Sequence, residues 1–153
     1  MITKSSGFSL VELLVVVAII GILSATGMVV YNGYISSAKR SSAENTLQQI
    51  SLAQSEQFAN AGSYFKTHDS DTCIPDDPSA DLRGGNGSNS LIELNLFDND
   101  QIINREGNYG FCIAGESTSD YIIITRNFRD GTPSDCILSI TRRGGVQKSP
   151  ECS

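Results

Sequence analysis

Proline is missing from residues 8 to 62 of this 153-residue chain, so nothing in that stretch forces a helix to break. Histidine occurs once, as His68. No Ser/His/Asp set, phosphate-binding loop or metal cluster can be built around it, which argues against an enzyme and against a cofactor. The four cysteines contain no CxxC pair, and this removes zinc ribbons and thioredoxin-like motifs. Bases are scarce in the middle of the chain: residues 44–100 hold ten acids against Lys66 and Arg83, and the net charge is −6. A general nucleic-acid-binding surface is therefore not expected.

What the chain does have is an apolar run, GFSLVELLVVVAIIGILSATGMVV, from Gly7 to Val30. As a helix, Phe8 to Val30 would rise roughly 35 Å against a hydrocarbon core of roughly 30 Å, so the run reads as a single membrane span. Glu12 sits inside it. An ionised acid near mid-membrane costs roughly 2.5–3.5 kcal/mol, so this carboxylate needs a partner or a place near the interface. A cleavable secretory signal is the competing reading, but its apolar core is normally shorter and carries no acid.

Beyond the run, Ala43, Leu47, Ile50, Gln54, Phe58 and Ala61 recur at spacings of three and four, a stripe on one face of a helix that ends near Gly62. Residues 62–108 are irregular, punctuated by Pro75, Pro78 and the Gly84–Asn89 run, with a short helix expected around Ser90 to Phe97. Asp98-Asn99-Asp100 fails the EF-hand pattern and reads as a turn, and His68 reads as solvent-exposed. Tyr109–Ala114, Tyr121–Phe128 and Cys136–Thr141 are rich in β-branched and aromatic residues, so the end of the chain predicts a three-stranded antiparallel meander. Tyr109, Phe111 and Ile113 share one face, and Leu138 and Ile140 share another that can meet the helical stripe.

Cys73, Cys112, Cys136 and Cys152 all lie beyond the apolar run, and their even number reads as two disulfides formed in an oxidising compartment. Sequence alone leaves all three connectivities open.

A short polar leader ending in Gly7, then Phe8, then Glu12 in an unbroken apolar helix, resembles the class III signal of type IV pilins and type II secretion pseudopilins. The match runs through Gly7, Phe8, Leu10, Glu12, Leu13, Ala18, Gly21 and Tyr31, and Phe58 to Tyr64 (FANAGSY) looks like the end of the first helix in major pilins. Val29 departs from the pattern, since many pilins have proline there. The resemblance implies an α+β fold: a long N-terminal α-helix, half membrane-embedded and half packed on a small antiparallel β-sheet head, with a disulfide-stapled C-terminal loop. It divides the chain into a leader (1–7), a transmembrane and filament-core helix (8–30) and a globular head (31–153), the head made of helix to about 62, loop 63–108, and sheet with D-region 109–153.

The same resemblance implies cleavage after Gly7 by a prepilin peptidase and N-methylation of Phe8. It implies storage in the inner membrane as a single-pass protein, head outside the cytoplasm, although Lys39 and Arg40 after the span count the other way on a positive-inside basis. Delivery by an inner-membrane assembly platform and polymerisation with identical or related subunits into an extracellular pilus would follow, serving adhesion, twitching motility or DNA uptake. Glu12 would act in assembly by pairing with the new amine of a neighbour's Phe8. The pairings implied are Cys136–Cys152 and Cys73–Cys112. Arg142 and Arg143, in the first of these loops, offer a weak grip on DNA phosphates, or else a solvated hairpin end. The alternatives are a type II secretion pseudopilin, a minor pilin, or a membrane-anchored binding module that never polymerises.

Overall fold

The computed structural model of the chain describes residues 7–78, 87–104 and 107–152; residues 1–6 of the expected leader lie outside them. The elements in order are α1 (Leu10–Ala61), α2 (Ser88–Leu96), β1 (Tyr109–Ala114), β2 (Ile122–Arg129), β3 (Thr132–Thr141), β4 (Gln147–Lys148) and a closing 3-10 turn (Pro150–Cys152). The chain forms two compact units, one ending at Ala38 and one running from Lys39 to the C-terminus.

In the second unit the helical stripe of α1 becomes the floor of the core. Ala43, Leu47 and Ile50 are buried against Tyr109, Phe111 and Ile113 of β1, Ile123 of β2, Leu138 and Ile140 of β3, and Ile92 of α2. Each fully buried aliphatic or aromatic side chain contributes roughly 1.5–3 kcal/mol, which explains why this face decides the packing. The stripe leaves the core after Gln54: Phe58 is 37% exposed and stacks on Tyr64 instead, 4.6 Å between centroids. The helix ends as its spacing predicts, with the Gly62 N–H bonded to Phe58 O at 2.9 Å.

The sheet is antiparallel with the order β1-β2-β3-β4, one strand more than the meander expected. β1 is buried at all six positions because its second face is covered too, where Cys112 and Ala114 pack with Cys73 and Ile124. That is why YGFCIA reads as a continuous apolar run rather than an alternating one. β3 begins at Thr132, four residues before the expected start, because Asp130 (φ 52°) and Gly131 (φ 78°) make a two-residue hairpin turn between paired Arg129 and Thr132. Both disulfides are present, Cys73–Cys112 and Cys136–Cys152. The long N-terminal helix, small antiparallel sheet and two disulfides make a pilin-like α+β architecture.

One expectation is corrected. Among the described residues, no helix is long and apolar enough to cross a membrane, which overturns the single-pass inner-membrane placement of residues 8–30 with the head outside the cytoplasm. The described apolar stretch of α1 carries Glu12 in its first turn, an ionisable group whose burial in hydrocarbon is costly.

Candidate functional site

The N-terminal segment is built from a helix start and an apolar surface. Glu12 lies in the first turn of α1, and its Oε2 accepts a hydrogen bond from the Ser9 backbone N–H at 3.1 Å. The spacing Ser9-Leu10-Val11-Glu12 is that of a capping box, in which the third helical residue reaches back to the residue before the helix. An acid here also faces the positive end of the helix dipole. The S-x-x-E pattern is visible in the sequence, yet reading Glu12 as a charge within an apolar run hides it.

Around that cap, every large apolar side chain from Phe8 to Leu23 is about half exposed or more, from 48% at Val16 to 83% at Phe8. A helix apolar on all sides has no face to turn towards water, and a contiguous exposed apolar surface of this extent marks an interaction site. Gly7 precedes it. A side chain placed at Gly7 meets no atom within 4 Å, so no packing within the described chain requires glycine there.

The C-terminal loop is held by contacts of several kinds. Beside the Cys136–Cys152 bridge, Arg40 Nη1 donates to Cys152 O at 2.6 Å, and Lys148 forms an ion pair with Glu44. Arg40 and Glu44 are one helical turn apart on α1, so the loop rests on adjacent positions of one helix face. Arg40 also lies against the Tyr109 hydroxyl, where burial raises the tyrosine pKa and the guanidinium partly opposes that rise.

Arg142 and Arg143 are exposed at the turn after β3. Arg142 Nη1 donates to Ser119 O at 2.9 Å. Arg143 lines a surface cavity of about 510 Å3 together with Asp71, Glu116 and Asp120. Three carboxylates around that cavity oppose a phosphate backbone. His68 is exposed, with its Nδ1 3.0 Å from Thr67 Oγ1. Among the described residues, no group of three or more His, Cys, Asp or Glu is placed to hold a metal ion, and Asp98 and Asn99 form a turn with positive φ.

Three polar side chains organise the head through contacts that sequence reasoning missed, although it set one of them, Gln54, on the helical stripe. Buried Gln54 donates to Phe65 O at 2.6 Å and accepts from Phe65 N at 2.9 Å, fixing where the loop leaves the helix. Asn89 accepts from Phe111 N at 2.7 Å and donates to Tyr109 O at 3.3 Å. Thr67 Oγ1 accepts from Ile113 N at 2.9 Å and donates to Ile113 O at 3.0 Å. Their partners are remote in sequence, so no local pattern announces them.

Residues 2–28 match the family of the prokaryotic N-terminal methylation motif. No curated protein and no solved structure matches the chain.

Proposed function

We propose that this chain, which carries the N-terminal methylation motif typical of type IV pilins and pseudopilins on a pilin-like fold, is a prepilin that matures into a filament subunit. A prepilin peptidase cuts between Gly7 and Phe8 and methylates the new amine. The mature subunit then packs its apolar helix among those of identical or related subunits. The observation that carries this reading is the exposure of every large apolar side chain from Phe8 to Leu23: a bundle of such helices removes that surface from water, and the single subunit does not. Gly7 supports it as well, since its lack of a side chain serves no packing in the chain and so is left for an outside reader such as the peptidase. In the bundle, the Phe8 ammonium of one subunit lies against the Glu12 carboxylate of another and sets their axial register, because in a low-dielectric core an unpaired carboxylate costs several kcal/mol.

Between a pilus and a secretion pseudopilus, the two disulfides favour the pilus, with a cysteine-closed loop like a pilin D-region. Adhesion, twitching motility and DNA uptake are the roles such a filament would serve. Mass spectrometry of the native N-terminus tests the reading: a chain beginning with N-methylated Phe8 is expected, and an intact Met1 on the chain recovered from sheared filaments would sink it. Finding the chain as the dominant band of those filaments would make it the major subunit.

A further inference from the structure

The two edges of the sheet are closed in different ways. The β1 edge is sealed from within the fold: Thr67 bonds both backbone groups of Ile113, Asn89 bonds Tyr109 O and Phe111 N, and the Thr67 and His68 N–H groups both reach Ile113 O. Among the described residues, the β3 edge is closed by Gln147 to Ser149. Gln147 and Lys148 pair with Ser139 and Leu138, Ser149 N donates to Ile137 O at 2.9 Å, and Ile137 N donates to Ser149 Oγ at 3.0 Å. Arg40, Glu44 and Cys136 complete its hold, as described above.

The connection to this stretch contrasts with its docking. Arg142 to Gly145 are all exposed. Gly144 and Gly145 have φ of +78° and +83°, and a Cβ on either would touch nothing. The turn therefore contributes almost no packing, and glycine there changes conformation freely. Residues 142–145, extended, span roughly 14 Å.

We infer that Val146–Cys152 is an exchangeable element, which two copies of this chain trade reciprocally across their β3 edges. Every contact that docks it is made to a group the second copy also has, so exchange preserves all of them and alters only the glycine turn, the low-cost route to a two-fold pair. The covalent step balances without net oxidation. Cys136 is half-buried while Cys152 is 5% exposed, so a small thiolate attacks Cys136 Sγ, forming a mixed disulfide and releasing Cys152 as a thiolate on the exchangeable stretch. That thiolate attacks the Cys136 mixed disulfide of the other copy and expels the small thiol unchanged. Two intrachain bonds become two interchain bonds. Cys73 and Cys112 are 7% and 0% exposed and stay paired within their chain. The inference concerns the head and stands whether or not the chain forms filaments.

The test mixes 14N- and 15N-labelled full-length chains with a catalytic amount of glutathione, quenches by alkylation and maps disulfide peptides without reduction. Cys136–Cys152 peptides of mixed isotope are expected, with Cys73–Cys112 peptides remaining of one isotope. Equal mixing of the two bridges, or none in either, would overturn the inference. A second arm reverses the Glu44–Lys148 pair. Glu44→Lys chains and Lys148→Glu chains each repel their own C-terminal stretch, but each stretch finds an opposite charge on the other chain. Mixing the two variants should raise the mixed-isotope fraction several-fold over wild type, and a fraction no higher than wild type would equally count against it.

Discussion

Glu12 combines two roles that its variants separate. As a cap it satisfies the Ser9 N–H, worth about 1 kcal/mol, and glutamine keeps that acceptor. As the proposed partner of a neighbour's ammonium it must carry charge. Glu12→Ala should leave cleavage and head folding intact and sharply lower entry into filaments, while Glu12→Gln should keep the cap and recover only part of the yield. The measurement is filament yield against the pool of processed subunit; full piliation by Glu12→Gln would leave the cap as the residue's whole contribution. Gly110 is constrained by space alone. A Cβ there would overlap the Asp76 carbonyl oxygen and crowd Pro75 and the Phe128 ring at 3.2 and 3.0 Å. Gly110→Ala should cost about 1–3 kcal/mol, read as a lower denaturation midpoint.

At the scale of elements, the β1 edge shows how side chains stand in for a missing strand. Asn89 is 2% exposed, so Asn89→Ala leaves Phe111 N–H and Tyr109 C=O without that partner away from water. The expected loss is roughly 2–4 kcal/mol, with faster amide exchange at Phe111 than at Ile123. Elements of this kind mark the boundary of what was legible beforehand. α1 and β1 could be read because a stripe and a compact apolar run each leave a pattern in adjacent residues. β4 could not, since Gln147 and Lys148 are exposed and polar and become a strand only because β3 offers an edge. The first half of β3, Thr132 to Asp135, lacks apolar alternation, and only the Asp130-Gly131 dipeptide signalled its hairpin. The disulfide pairing is legible only through the family resemblance, and apolar length alone suggests a membrane span that no helix among the described residues supplies. α2 is capped from a distance: Asp76 Oδ2 accepts from Ser88 N at 3.1 Å and Ser88 Oγ at 2.8 Å, a contact no local window reveals.

Over the whole molecule, stability should respond to base and to loss of the C-terminal bridge. Burial raises the pKa of both Tyr109 and Tyr121, so the folded state favours their neutral forms. That contribution is fully present below about pH 10, the unfolded value, and is lost as pH rises through the raised folded values. Denaturation midpoints should be flat to about pH 9 and fall beyond 10, with part of the tyrosinate absorbance appearing only as the head opens. Replacing Cys136 and Cys152 together by serine should cost roughly 3 kcal/mol by freeing their loop in the unfolded chain, measured by chemical denaturation of the full-length protein. The bond from Arg40 to the Cys152 carbonyl joins positions 112 residues apart, and this sets a timetable for synthesis. α1 is made well before the strands that cover it, and Arg40 waits longest, for a partner that is synthesised 112 residues later. Closure across so long a loop is slow, and until it happens the stripe at Leu47 and Ile50 has no complete cover. A nascent chain interrupted before Cys152 therefore keeps α1 without this clasp, and the apolar surface left open in the meantime is what makes such a species prone to aggregate.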